Sequence, residues 1–88
     1  MKVFNFDYKG QPVRVLKDEQ QQSEWFLFND IASILDLTPE ALSSLDSKEK
    51  RTVKPFGEPE KPGKIVVSLT GLEKLIGIAE RKEISLLN

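Results

Sequence analysis

Apolar and polar positions alternate at the start of the chain. In "VFNFDYKG", Phe4, Phe6 and Tyr8 fall on one face of a period-two pattern with Asn5 and Asp7 on the other, which predicts a half-buried strand. "KGQP" at Lys9 to Pro12 supplies a turn, and "VRVLK" alternates Val13 and Val15 against Arg14, so the two segments form a hairpin. The polar stretch "DEQQQSE", Asp18 to Glu24, has no period and reads as a loop before a third strand at "WFLF".

"EWFLFNDIASILDL" then changes period abruptly. Four apolar residues, Trp25 to Phe28, run into Asn29-Asp30, after which Ile31, Ile34 and Leu35 recur at helical spacing. Asn29 is the expected cap of this short helix, and Asp30 adds negative charge where the helix dipole is positive. Thr38-Pro39 signals a second start, so "PEALSSL" reads as another short helix burying Leu42 and Leu45, and the two make a helix-turn-helix-like pair. The charged segment Asp46 to Lys64, broken by Pro55, Pro59, Pro62, Gly57 and Gly63, reads as a loop with "GEPEKPG" as a loop or hairpin tip.

"KIVVSL" follows as the fourth strand, with Ile65, Val67 and Leu69 on one face. "TGLEKLIGIAER" is a helix opened by a capping box of Thr70 and Glu73, with Leu72, Leu75, Ile76 and Ala79 on one side. Gly77 inside it implies close packing or an early end, and "KEISLLN" is able to add one more helical turn. The expected fold is therefore a small α+β domain spanning residues 1–88. It has a mostly antiparallel sheet of about four strands, on which a short helix pair and a C-terminal helix pack.

Composition narrows the chemistry. The 88 residues contain no Cys and no His, which removes disulfides, thiolate chemistry, the commonest metal ligands and the commonest acid/base group near neutral pH. Asp30, Asp36, Glu40 and Asp46 lie on short helices where capping and solvated faces account for them, and no glycine pattern cradles a phosphate. No catalytic residue, metal ligand or cofactor can be named, and an enzyme is not expected. No apolar run nears the ~18–20 residues of a membrane span and the first residues lack an apolar signal region, so a cytoplasmic protein without membrane contact is expected.

Net charge is −1, but its distribution is uneven. Residues 1–47 hold four basic and eight acidic side chains, whereas residues 48–64 hold six basic and three acidic, so any polyanion contact belongs to the second segment. Lys48, Lys50, Arg51, Lys54, Lys61 and Lys64 are the candidate phosphate contacts, with Arg14 a further one. Trp25 and Phe26 could stack on bases, but they sit in a continuous apolar strand and read as core.

Taken in order, "FDYKGQPVRV", "EWFLFNDIASIL" and "VSLTGLEKLI" resemble the Bro N-terminal (Bro-N) domain of phage antirepressors and related viral proteins. Phe6, Gly10, Val13, Arg14, Val15, Trp25, Phe26, Asp30, Ile31, Ala32, Leu35, Gly71, Leu72, Leu75 and Ile76 carry the resemblance, which spans nearly the whole chain. It implies a DNA-binding module of phage or prophage gene regulation. Double-stranded DNA is thus the leading expected partner. A host or phage protein bound by a stand-alone inhibitor is the alternative, and a homodimer is compatible with either.

Overall fold

A computed structural model describes residues 2–53 and 63–87, with side chains up to residue 81. One antiparallel sheet contains β1 (Lys2–Tyr8), β2 (Gln11–Asp18), β3 (Ser23–Leu27), β4 (Lys50–Val53) and β5 (Lys64–Val67), in the spatial order β1-β2-β3-β5-β4. Helix α1 (Phe28–Leu35), a 3-10 helix (Pro39–Ser44) and helix α2 (Leu69–Leu87) complete the small α+β fold that the hydrophobic pattern predicts. The sheet has one strand more than expected. The start of the basic segment, read as loop, is β4, paired from Lys50↔Val67 to Val53↔Lys64. "GEPEKPG" lies outside the described residues.

The first hairpin turns in two residues, because Lys9 and Gly10 both take positive φ, 52° and 79°, and a turn of that hand matches the strand twist. Pro12 therefore belongs to β2, opposite Asp7. At the next turn the Asp18 carboxylate accepts the N–H groups of Gln20 (3.1 Å) and Gln21 (3.4 Å). This local closure shortens the polar loop to residues 19–22 and lets β2 pair with β3 as far as Asp18↔Ser23.

The core lies between the sheet and the helices. Val13, Val15, Phe26 and Val67 of the sheet meet Phe28, Ile31, Leu45, Leu72 and Leu75. Burial of such a side chain contributes about 1.5–3 kcal/mol relative to exposure. On the opposite face Leu16, Leu27 and Val66 form a smaller buried cluster, flanked by Trp25 and Val53. Burial on both faces explains why "WFLF" and "IVV" are continuous apolar runs.

β1 departs from its predicted half-burial. Val3, Phe4 and Phe6 remain 46%, 42% and 44% exposed, because β1 is an edge strand and the helices seat on β2, β3 and β5. Phe6 meets Phe26 of the core edge-on, in a T-shaped contact at 6.2 Å.

Helix ends also differ from expectation. α1 starts at Phe28 with Leu27 in the cap position and no side-chain cap, so Asn29 sits inside the first turn. It ends at Asp36 in the left-handed region (φ 55°), with the Leu37 N–H on the Ala32 carbonyl at 2.9 Å. "PEALSS" is 3-10 rather than α: the Ser43 hydroxyl donates back to the Glu40 carbonyl (2.7 Å), and Leu45 turns extended to bury its side chain. The expected helix-turn-helix-like pair is thus one α-helix and one 3-10 helix.

Ser68, not Thr70, caps α2, its hydroxyl oxygen accepting the Gly71 N–H at 3.1 Å. Leu69 consequently opens the helix, 56% exposed, and does not share a strand face with Ile65 and Val67. Among the described residues no helix is long and apolar enough to cross a membrane.

Two glycines of α2 have opposite roles. A Cβ on Gly71 would lie 2.9 Å from the Glu49 carbonyl oxygen and 3.3 Å from the Val67 Cβ, whereas one on Gly77 would meet nothing within 4 Å. Gly71→Ala is expected to destabilise by about 1–3 kcal/mol through overpacking against backbone. Gly77→Ala is expected to stabilise by about 1 kcal/mol through helix propensity. Urea unfolding of the two variants beside the wild type checks both signs.

Candidate nucleic-acid interface

Strand alternation sends Lys50 and Arg51 to opposite faces of β4. Lys50 turns toward the helices, where its ammonium donates to the Leu42 carbonyl at 3.1 Å and closes the end of the 3-10 helix. Arg51 turns to the other face, with its guanidinium carbon 5.5 Å from the centroid of the Trp25 ring, in cation–π contact. The pairing Val53↔Lys64 puts Lys64 on the face of Val53, and therefore of Arg51. The neighbouring Lys48 is exposed in the turn before β4. Lys54 and Lys61 lie outside the described residues.

Arg14 is held differently from the other candidates. Its backbone N–H, Nε and Nη2 all donate to the Asp30 carboxylate, at 2.9, 3.1 and 3.2 Å. The β2–β3 ladder ends at Val15↔Phe26, where β3 gives way to α1, and Asp30 supplies the acceptor that Arg14 would otherwise find on a neighbouring strand. Burial pushes the Asp30 carboxyl up, but the hydrogen bonds and charge of Arg14, with the nearby charge of Lys64, outweigh it and hold the group below its ordinary value.

The entry to β4 is fixed by a second polar cluster, which is absent from the sequence reading. Glu49, 8% exposed, accepts the Asp46 N–H at 2.8 Å and the Lys74 ammonium at 2.7 Å, while its carbonyl accepts the Ser68 N–H at 2.9 Å. Asp46 also approaches Lys74, at 3.8 Å. The Lys74 ammonium and then the Asp46 N–H hold the Glu49 carboxyl below its ordinary value. Glu49 and Lys74 are 25 residues apart, so no local spacing signals the pair.

The described cations therefore divide by use. Lys2, Arg14 and Lys74 form ion pairs with Glu19, Asp30 and Glu49. Among the described residues Lys48, Arg51 and Lys64, like Lys9, Lys17 and Arg81, have no carboxylate at ion-pair distance, and the first three belong to the β4–β5 hairpin or its approach. A shallow groove of about 360 Å³ runs beside this hairpin, lined by Leu42, Ser47, Lys50, Arg51, Thr52 and Ile65. Among the described residues no group of three or more His, Cys, Asp or Glu side chains is placed to hold a metal ion.

Asp30→Ala is expected to destabilise by about 1–2 kcal/mol, since it removes charge-assisted bonds from a partner that is half-exposed. Asp30 and Glu49 both bind protons more weakly folded than unfolded, so their stabilisation is full above the ordinary carboxylate range and is lost as pH falls through the lowered folded values. The deficit of Asp30→Asn/Glu49→Gln against wild type in urea unfolding should be present at pH 7 and shrink as pH is taken below the ordinary carboxylate range.

A comparison with known protein families, with curated proteins and with solved structures finds no match for the chain.

Proposed function

We propose that the chain is a non-catalytic regulatory domain that engages double-stranded DNA through the β4–β5 hairpin. The observation that supports this reading best is the placement of cations: six of the 13 Lys and Arg residues fall on this hairpin, its approach or its connecting segment. The helix pair is a poor reader of a groove, since its second member is a six-residue 3-10 helix whose end is tied to Lys50. A two-stranded ribbon, by contrast, fits the major groove, and β4–β5 is such a ribbon beyond Val66, where β3 no longer pairs and Lys64 and Ile65 meet β4 alone. Arg51 and Lys64 project from one face of it, and Lys48 stands at its entry. The Bro-N resemblance supports the same reading and adds phage or prophage gene regulation as its setting.

Such contacts are mainly to phosphates, so binding should be salt-dependent. If about four phosphates are neutralised, affinity for a random duplex is expected to fall roughly 10²-fold between about 50 and 200 mM salt. Fluorescence anisotropy measures this. Arg51→Glu/Lys64→Glu should lose most of the binding while keeping the wild-type circular dichroism spectrum. No binding at the lowest salt, or equal binding by the variant, overturns the reading.

A second reading, a stand-alone inhibitor docking on a host or phage protein, is favoured by the acidic excess of eight to four in residues 1–47, which could match a basic surface. It replaces the first if the titration fails and affinity capture recovers one protein partner.

A further inference from the structure

The two edges of the sheet are built differently. β4, at one edge, is four residues long and carries Lys50 and Arg51, the short and charged form that discourages strand addition. β1, at the other, runs for seven residues, and Val3 to Phe6 carry no charge. Among the described residues no strand lies beyond β1, and Val3, Phe4 and Phe6 are all exposed.

The backbone of this edge has a fixed polarity. A two-residue turn makes Tyr8 and Gln11 a hydrogen-bonded pair, so Phe6–Val13 and Phe4–Val15 are bonded pairs and Asn5–Arg14 is not. The Arg14 N–H agrees, since it points away from β1 and onto Asp30 at 2.9 Å. Asn5, opposite Arg14, thus directs its own N–H and C=O away from β2, as do Val3 and Asp7.

We propose that the β1 edge pairs antiparallel with β1 of a second copy, about a two-fold axis through Asn5 and perpendicular to the sheet. In this register Asn5 opposes Asn5, Val3 opposes Asp7 and Phe4 opposes Phe6 of the second copy. Every outward-facing residue meets an outward-facing one, and the exposed Phe rings of both copies gather on the helix-bearing face beside Phe26. A slip of one residue would set Phe4 against Asn5 and bonded against non-bonded positions. A parallel pair about a two-fold axis along the strands would turn the helix-bearing faces to opposite sides and separate the Phe rings of the two copies, so the antiparallel sense is the one that joins them.

A seven-residue edge lies at the low end of interface sizes, under about 1,200 Å², so the dimer is reversible. The DNA-binding reading is not needed for it, since the β4–β5 hairpin lies at the far side of each sheet.

Sedimentation of the 88-residue chain should show its 10.0 kDa mass double with rising concentration. Asn5→Pro removes an outward N–H from an edge strand and should remain monomeric. The chain has no cysteine, so Asn5→Cys introduces a lone thiol whose symmetry mate sits at a Cα separation of about 5.5 Å, within disulfide range. Under mild oxidation Asn5→Cys should form a covalent dimer at least about tenfold faster than Gln21→Cys, a control in the exposed turn after β2. Monomeric wild type up to about 500 µM, or equal coupling by the two cysteine variants, overturns the proposal, as does a partner protein seated on β1 in place of a second copy.

Discussion

The fold depends on how β3 becomes α1 without a connecting loop. Leu27 closes the strand and Phe28 opens the helix, so β2 is left beside a strand that has already turned away. The next donor along that side of β2, the Arg14 N–H, has no strand carbonyl opposite it, so a side-chain acceptor takes the place of the ladder. Asp30 reaches back from the first turn of the helix and takes that donor together with the guanidinium. One carboxylate therefore ends the ladder, orients the helix on the sheet and neutralises Arg14.

Glu49 does for the second half of the chain what Asp30 does for the first. Its side chain joins Asp46 to Lys74, its carbonyl receives the Ser68 N–H, and the missing Cβ of Gly71 lets α2 approach that carbonyl. The short β4 is thereby held against β5, although four residues alone form few ladder bonds. Both clamps use acid–base pairs whose members are far apart in sequence, so each is made only when the layers have come together.

The same clamps sort the charges. A net charge of −1 gives no overall field toward a polyanion, and pairing withdraws Lys2, Arg14 and Lys74 from any such role. Of the other described cations, Lys9, Lys17 and Arg81 are scattered over the first turn, β2 and α2, whereas Lys48, Lys50, Arg51 and Lys64 gather at one hairpin at one edge of the sheet. The apolar β1 lies at the opposite edge, so the surface proposed for nucleic acid and the surface proposed for self-association do not compete for space.

Period and turn chemistry in the sequence determined the α+β class, the first hairpin, the aromatic central strand and the existence and core face of the last helix, because these follow from neighbours within a few residues. They also picked out Lys48, Lys50, Arg51 and Lys64 as a cluster. Only the tertiary structure decided how the cluster is divided: extended backbone at Lys50 and Arg51 throws adjacent cations to opposite faces, and the 3-10 helix claims one of them. It likewise decided that Ser68 rather than Thr70 caps α2, since Glu49, 19 residues back in the chain, holds the Ser68 N–H. Exposure of Phe4 and Phe6 was a tertiary matter too. An alternating pattern states which side chains share a face, while whether another layer reaches that face depends on where the helices come to rest.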